Sequence, residues 1–179
     1  MYKTKFPIFS YLLFYFICIF QSQVFSEDLP ATTEEVPNWQ YLFQTFDQEV
    51  VRVKFPNYTL VSEENGSIFV YSRLNQERFL MHGCSPSQRI ENHGEFFSEL
   101  LKFYNNSSWG YVIIDYDIWN KDQNSYLKLT FIRPDIKTEF QMLYVVTMNN
   151  WYVLESNGPY ENTTDMYIKF FNSFKILQH

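Results

Sequence analysis

Apolar residues run almost unbroken from Phe6 to Phe20, behind Lys3 and Lys5 and ahead of Gln21-Ser22-Gln23. A basic start, an apolar stretch of this length and a polar end carrying a small residue predict an export signal, cleaved after Ser26, with an uncleaved N-terminal anchor as the alternative. As a helix the stretch would reach only about 22 Å, short of a hydrocarbon core of about 30 Å. Cys18 follows Ile17 rather than the small residue that lipid attachment needs, so it reads as filler that leaves with the signal. Residues 27–38 are polar and carry Pro30 and Pro37, the pattern of a flexible lead-in. Residues 39–179 are then expected to form a single domain.

Past the lead-in the pattern breaks into short periodic runs. Trp39–Phe46 is expected to pair as a first strand. Val51, Val53 and Phe55 alternate with Arg52 and Lys54, the period of a half-buried strand, and Pro56-Asn57 ends it. Ile68–Tyr71 follows an Asn65-Gly66 turn, and Asn75-Gln76 turns the chain into Arg78–Met81. Gly83 and Pro86 break the strand pattern. Asn92, with Glu95 three residues on, opens a helix as a capping box. Phe96, Phe97, Leu100, Leu101 and Tyr104 fall on one face of it, and Ser98, Glu99 and Lys102 on the other. The cluster Asn105-Asn106-Ser107-Ser108 stops it.

Four strands with short connections follow. In the first, Val112, Ile114, Tyr116 and Ile118 face one way, opposite Asp115 and Asp117. A loop, Asn120-Lys121-Asp122-Gln123-Asn124, leads to Leu127, Leu129 and Phe131. Pro134-Asp135 turns into Phe140, Met142, Tyr144 and Val146, and Asn149-Asn150 into Trp151–Leu154. After Gly158-Pro159, Asn162 or Thr163 is expected to cap a final helix with the stripe Met166, Phe170, Phe171, Phe174 and Leu177. Short turns imply antiparallel pairing, and two one-faced helices must bury their stripes on a sheet. The expected fold class is α+β, an antiparallel sheet of about six to seven strands packed by two main helices.

Composition narrows the function. The formal charge is −6, and loss of Lys3 and Lys5 with the signal takes it to −8. That balance argues against a nucleic-acid groove or an anionic membrane as partner. Aromatics make up 21% of the chain, which favours strands and a bulky core. Cys84 is the one cysteine left after cleavage, so no internal disulfide is expected.

Three local features, Val53-Lys54-Phe55-Pro56, the aromatic strand Trp151–Leu154 leading to Gly158, and the closing run Phe170-Phe171-Asn172-Ser173-Phe174-Lys175-Ile176, span most of residues 40–177. Together they resemble the PsbP-like α/β/α sandwich family, which includes the bacterial envelope protein DcrB and a nuclear Ran-binding release factor. The resemblance implies a non-catalytic accessory, assembly or binding module, often exported. No residue here matches a metal ligand, so the plant members' association with metal and photosystem subunits is not implied.

Several residues carry candidate chemistry. If the strand continues to Cys84, His82 shares a face with the thiol and could draw its proton; His93 at the next helix mouth could serve as well. The bland alternative is a small apolar Cys beneath a turn. Asp115, Asp117 and Asp122, with Asn120 and Asn124, form an oxygen-rich run of the kind calcium favours. Counted from either end it lacks the turn glycine and final acid of a calcium loop, which leaves the polar edge of a hairpin as the alternative. His82, His93 and His179 have no zinc spacing, and no glycine-rich phosphate loop occurs. Glu91, Glu95 and Glu99 read as a solvated helix edge. Trp109, Trp119, Trp151 and Tyr111, with Tyr41 and Tyr71, could line a groove or a protein-binding patch, or simply pack. Asn57, Asn65, Asn105, Asn106 and Asn162 open Asn-x-Ser/Thr triplets. These would be sugar-bearing surface positions in a eukaryotic secretory pathway and are without meaning in a bacterium.

The expectation is an exported, non-catalytic binding or scaffold module, periplasmic or secreted, with no cofactor and no membrane span after signal cleavage. Its partner would be another envelope or secreted protein. The alternatives are a Cys84-centred thiol enzyme and a small-ligand carrier with an aromatic-lined pocket.

Overall fold

In the computed structural model, residues 38–177 are described except 47–48, 57–59, 65–66, 75–76, 85–89, 107, 109 and 161–164, with the backbone alone at 60–74. The expected signal, residues 27–37 of the lead-in, the Asn65-Gly66 and Asn75-Gln76 turns, and the cap at Asn162 or Thr163 lie outside the described residues.

The domain is α+β, with two antiparallel sheets and two helices. Seven strands form the main sheet: β3 (Leu60–Glu64), β4 (Ser67–Leu74), β5 (Glu77–Cys84), β6 (Val112–Lys121), β7 (Asn124–Arg133), β8 (Thr138–Val146) and β9 (Trp151–Pro159). Their spatial order is β3-β4-β5-β9-β8-β7-β6. The second sheet holds β1 (Trp39–Phe46), β2 (Glu49–Pro56) and β10 (Lys175–Leu177), in the order β1-β2-β10. Helix α1 is His93–Asn106 and helix α2 is Met166–Ser173.

Local chemistry explains most boundaries. The Asn92 side chain accepts the Glu95 amide at 3.0 Å, and the Phe96 amide reaches the Asn92 carbonyl at 3.0 Å, so α1 starts where the capping signal lies. Its stripe buries Phe96, Phe97, Leu100 and Tyr104. β6 and β7 are joined by Asp122 and Gln123 alone, with φ of 51° and 65°, a two-residue turn whose left-handed backbone suits the strand twist. The expected five-residue loop is therefore mostly strand. β5 continues through Gly83 to Cys84, because Gly83 is where the Phe46 ring presses onto the strand. The expected break there does not occur.

β5 and β6 run parallel although four places apart, and α1 carries the chain back between them across one face of the main sheet. Beneath it lie Trp151 and Val153 of β9, Met142 and Tyr144 of β8, and Leu127, Leu129 and Phe131 of β7, all buried. The Tyr104 and Tyr144 hydroxyls meet at 2.6 Å in that layer, and burial pushes the Tyr104 phenol well above its ordinary range. The opposite face is covered by α2 and the small sheet. Phe46, Val51, Val53 and Phe55 from the small sheet pack with Phe170 and Phe171 of α2 against Phe79, Met81, Leu143, Val145, Tyr152 and Leu154.

Two expectations are corrected here. β1 and β2 do not join the main sheet, since the inward side chains of β2 are fully buried as a lid over it. Residues 175–177 are not the end of the last helix. Phe174 turns extended at φ −66° and ψ 130°, and Lys175–Leu177 pairs with Val50–Arg52. Leu177 thus belongs to a strand rather than to the helical stripe. Glu49 ties the two sheets together, because its carboxylate accepts the Tyr152 hydroxyl at 2.8 Å and the Thr147 hydroxyl at 2.8 Å.

Candidate functional site

His82 and Cys84 do lie on one face of β5, the face covered by α1. His82 is buried with its ring 5.0 Å from that of Trp151, and desolvation lowers its pKa to about 4. The imidazole is therefore neutral at physiological pH. Cys84 is half-buried opposite Trp151 in the strand register. His93 stands elsewhere, at the start of α1, where its Nδ1 lies 2.8 Å from the Ser125 hydroxyl. Ser125 donates its own proton to Asn120 Oδ1 at 2.6 Å, so His93 serves it as a donor and not as a base. This Asn-Ser-His chain ties the helix start to the β6–β7 hairpin and does not activate a nucleophile.

The aromatic candidates are dispersed. Trp151 is buried between His82 and Phe96, and Tyr111 is buried against Tyr104, Phe131 and Phe140. Burial raises the Tyr111 pKa to about 12. Trp119 is half-buried on the other face of the main sheet, stacked on Tyr126 at 5.1 Å. Trp109 lies outside the described residues. Packing thus takes up Trp151 and Tyr111, and among the described residues the exposed rings are those of Tyr41, Phe43 and Tyr116.

Asp115 and Asp117 are exposed on β6, while Asp122 is spent on the left-handed turn. Among the described residues, no group of three His, Cys, Asp or Glu side chains is placed to hold a metal. Asn105 and Asn106 are exposed at the end of α1, and Asn57, Asn65 and Asn162 lie outside the described residues.

What the structure does gather is an edge. Among the described residues β6 pairs with β7 on one side only, and no other strand borders its outer backbone. Val112, Ile114, Tyr116 and Ile118 are 44–57% exposed along it, where a half-buried strand was expected. The expected common face is also broken. A register shift between Ile113 and Asp115 leaves Ile114 at a bulge and places Val112 with Asp115 and Asp117. The sequence signal for an edge was present in those two acids within an apolar run. Neither Asp115 nor Asp117 makes an ion pair among the described residues. A ten-residue edge that pairs on one side only among the described residues, with apolar side chains and two period-two carboxylates, can accept one further strand.

In comparison with known proteins, the chain matches no family model and no curated protein.

Proposed function

We propose that the chain is an exported, non-catalytic binding or scaffold module of the PsbP-like α/β/α kind, which takes a partner polypeptide by strand addition at β6. The observation that carries this reading is the exposed apolar edge itself, 44–57% open at Val112, Ile114, Tyr116 and Ile118. A large exposed apolar strip on a soluble domain marks an interaction surface, and an open edge strand supplies main-chain hydrogen bonds as well. Self-pairing of two β6 edges is disfavoured. Antiparallel pairing centred on Tyr116 would set Asp115 against Asp117 across the joint, and directly opposed like charges destabilise a sheet. The partner strand is accordingly another protein's, with apolar and basic residues in alternation. Among the described residues, no helix is long and apolar enough to cross a membrane.

The test is affinity capture by the mature domain from its own envelope or secreted fraction, with the wild type beside Ile114→Lys and Ile118→Lys. The reading expects a polypeptide retained by the wild type and lost from both variants, with slowed amide exchange along β6 in the complex. Equal capture by the variants refutes the site. Turnover abolished by Cys84→Ala refutes the non-catalytic role. Mass spectrometry of the native protein checks the cut after Ser26 and any sugar on the Asn acceptors.

A further inference from the structure

The small sheet turns a second, chemically different surface outward. Its strand register sets Tyr41 opposite Lys54, Phe43 opposite Arg52, and Arg52 opposite Lys175, so these five side chains share the face turned away from the core. Tyr41 is 45% exposed and Phe43 56%. The Arg52 guanidinium lies 4.7 Å from the Tyr41 ring centroid and the Lys54 ammonium 4.4 Å, which holds both cations against one ring. No outward position of β1, β2 or β10 carries an acid, since the one acid in these strands, Glu49, points inward to Tyr152 and Thr147. The ion pairs among the described residues are Lys102–Glu99 and Arg133–Asp135, so among those residues none of the three cations of this face has an acidic partner. Arg52 Nε is buried without a hydrogen-bond acceptor.

Three cations clustered on one face depart from the general balance of residues 39–179, where 16 acids and 12 bases leave a formal charge of −4. We propose that this face binds a short, extended, acidic segment of another polypeptide. Spacing supports that occupant. Arg52 and Lys54 stand two residues apart on one strand, about 6.8 Å, and Lys175 lies one strand away, about 4.8 Å. An extended peptide carrying acids at alternate positions has the same pitch of about 6.8 Å, and its intervening groups would lie on Phe43 and Tyr41. Magnitude argues against a charged plane or a long polyanion. At physiological salt the field of three cations fades within about 8 Å, beyond which the acidic remainder of the domain repels. A segment bringing two or three charges into contact meets the cations alone. The surface is separate from the β6 edge and does not rest on it.

The experiment is fluorescence anisotropy with a labelled decapeptide of five Glu-Ala repeats, titrated with the mature chain. Saturable binding is expected, weakened as salt is raised. Three charge pairs on the protein surface, each worth about two- to threefold in affinity, predict about a tenfold loss in R52Q/K54Q/K175Q. Lys175→Gln alone, at the sheet margin where folding is least at stake, should lose about two- to threefold. Lys102→Gln, which removes an exposed cation outside this face, should bind the peptide as the wild type does. Absence of saturation, equal affinity in R52Q/K54Q/K175Q, or binding to phosphatidylserine vesicles in place of the peptide would overturn the proposal.

Discussion

Gly83→Ala tests how closely the small sheet is pressed onto the main one. A Cβ at this position would run into Cζ of Phe46, lie 2.5 Å from its Cε1 and 3.0 Å from Cδ1 of Tyr152. Carbon atoms settle at about 3.5–4.0 Å, so the Phe46 ring would have to retreat by about an ångström. It has little room, being 4% exposed and set edge-on to Tyr152 at 5.2 Å. Overpacking of this kind costs about 1–3 kcal/mol. Restricting the unfolded chain at a former glycine returns about 0.4–1 kcal/mol. The clash wins, and the net expectation is a loss of about 1–2 kcal/mol, or ~3–8 °C in Tm for a domain of this size. Urea unfolding followed by tryptophan fluorescence gives the number. The same substitution in a Phe46→Leu background should be milder by about 1 kcal/mol, because the ring that blocks the methyl is gone. A Gly83→Ala protein within about 0.5 kcal/mol of wild type, or an equal penalty in both backgrounds, would show that the two sheets do not meet as described.

Stability should fall as pH drops through the range of His82. The folded state holds this imidazole at about 4 against an ordinary 6.5, so the unfolded chain takes a proton the folded one refuses. The contribution is whole above pH 6.5 and declines at about 1.4 kcal/mol per unit toward pH 4, about 3 kcal/mol in all. Denaturant titrations between pH 6.5 and 5 should show that slope in wild type and not in His82→Leu; equal slopes would contradict the burial. Glu49→Ala removes the acceptor of the Tyr152 and Thr147 hydroxyls and should cost about 1–3 kcal/mol, with Glu49→Gln milder, measured by urea unfolding. Asn92→Ala should cost about 1 kcal/mol through the lost cap, with early amide exchange confined to the first turn of α1.

The parts readable from the chain were those decided within a few residues. The Asn92 cap needs only a side chain three residues before an amide, and the α1 stripe only the 3.6 period. The alternation at Val51, Val53 and Phe55 announces a strand with one wet face. Nothing local says which sheet that strand will join. Trp151 and Tyr111 looked equally suited to a groove or a core, since an aromatic ring has the same chemistry in either place. Ile114 and Ile118 looked like core for the same reason, and only their position at the margin of the main sheet exposes them.

Residues 175–177 make the division plain. After Ser173 the side chains Phe174, Ile176 and Leu177 are apolar at spacings compatible with a helix, and local preference alone would continue it. Pairing with Val50–Arg52 offers the backbone a ladder that exists only once β2 has settled over the main sheet. By itself the sequence determined most of the elements and the α+β class, though not the strands Leu60–Glu64 and Lys175–Leu177 or the faces of β6, because hydrogen bonding and side-chain period act over short separations. The tertiary structure decided the split into two sheets, the outer edge at β6 and the clustering of cations beside Tyr41, because each depends on which surfaces are left after distant strands have found one another.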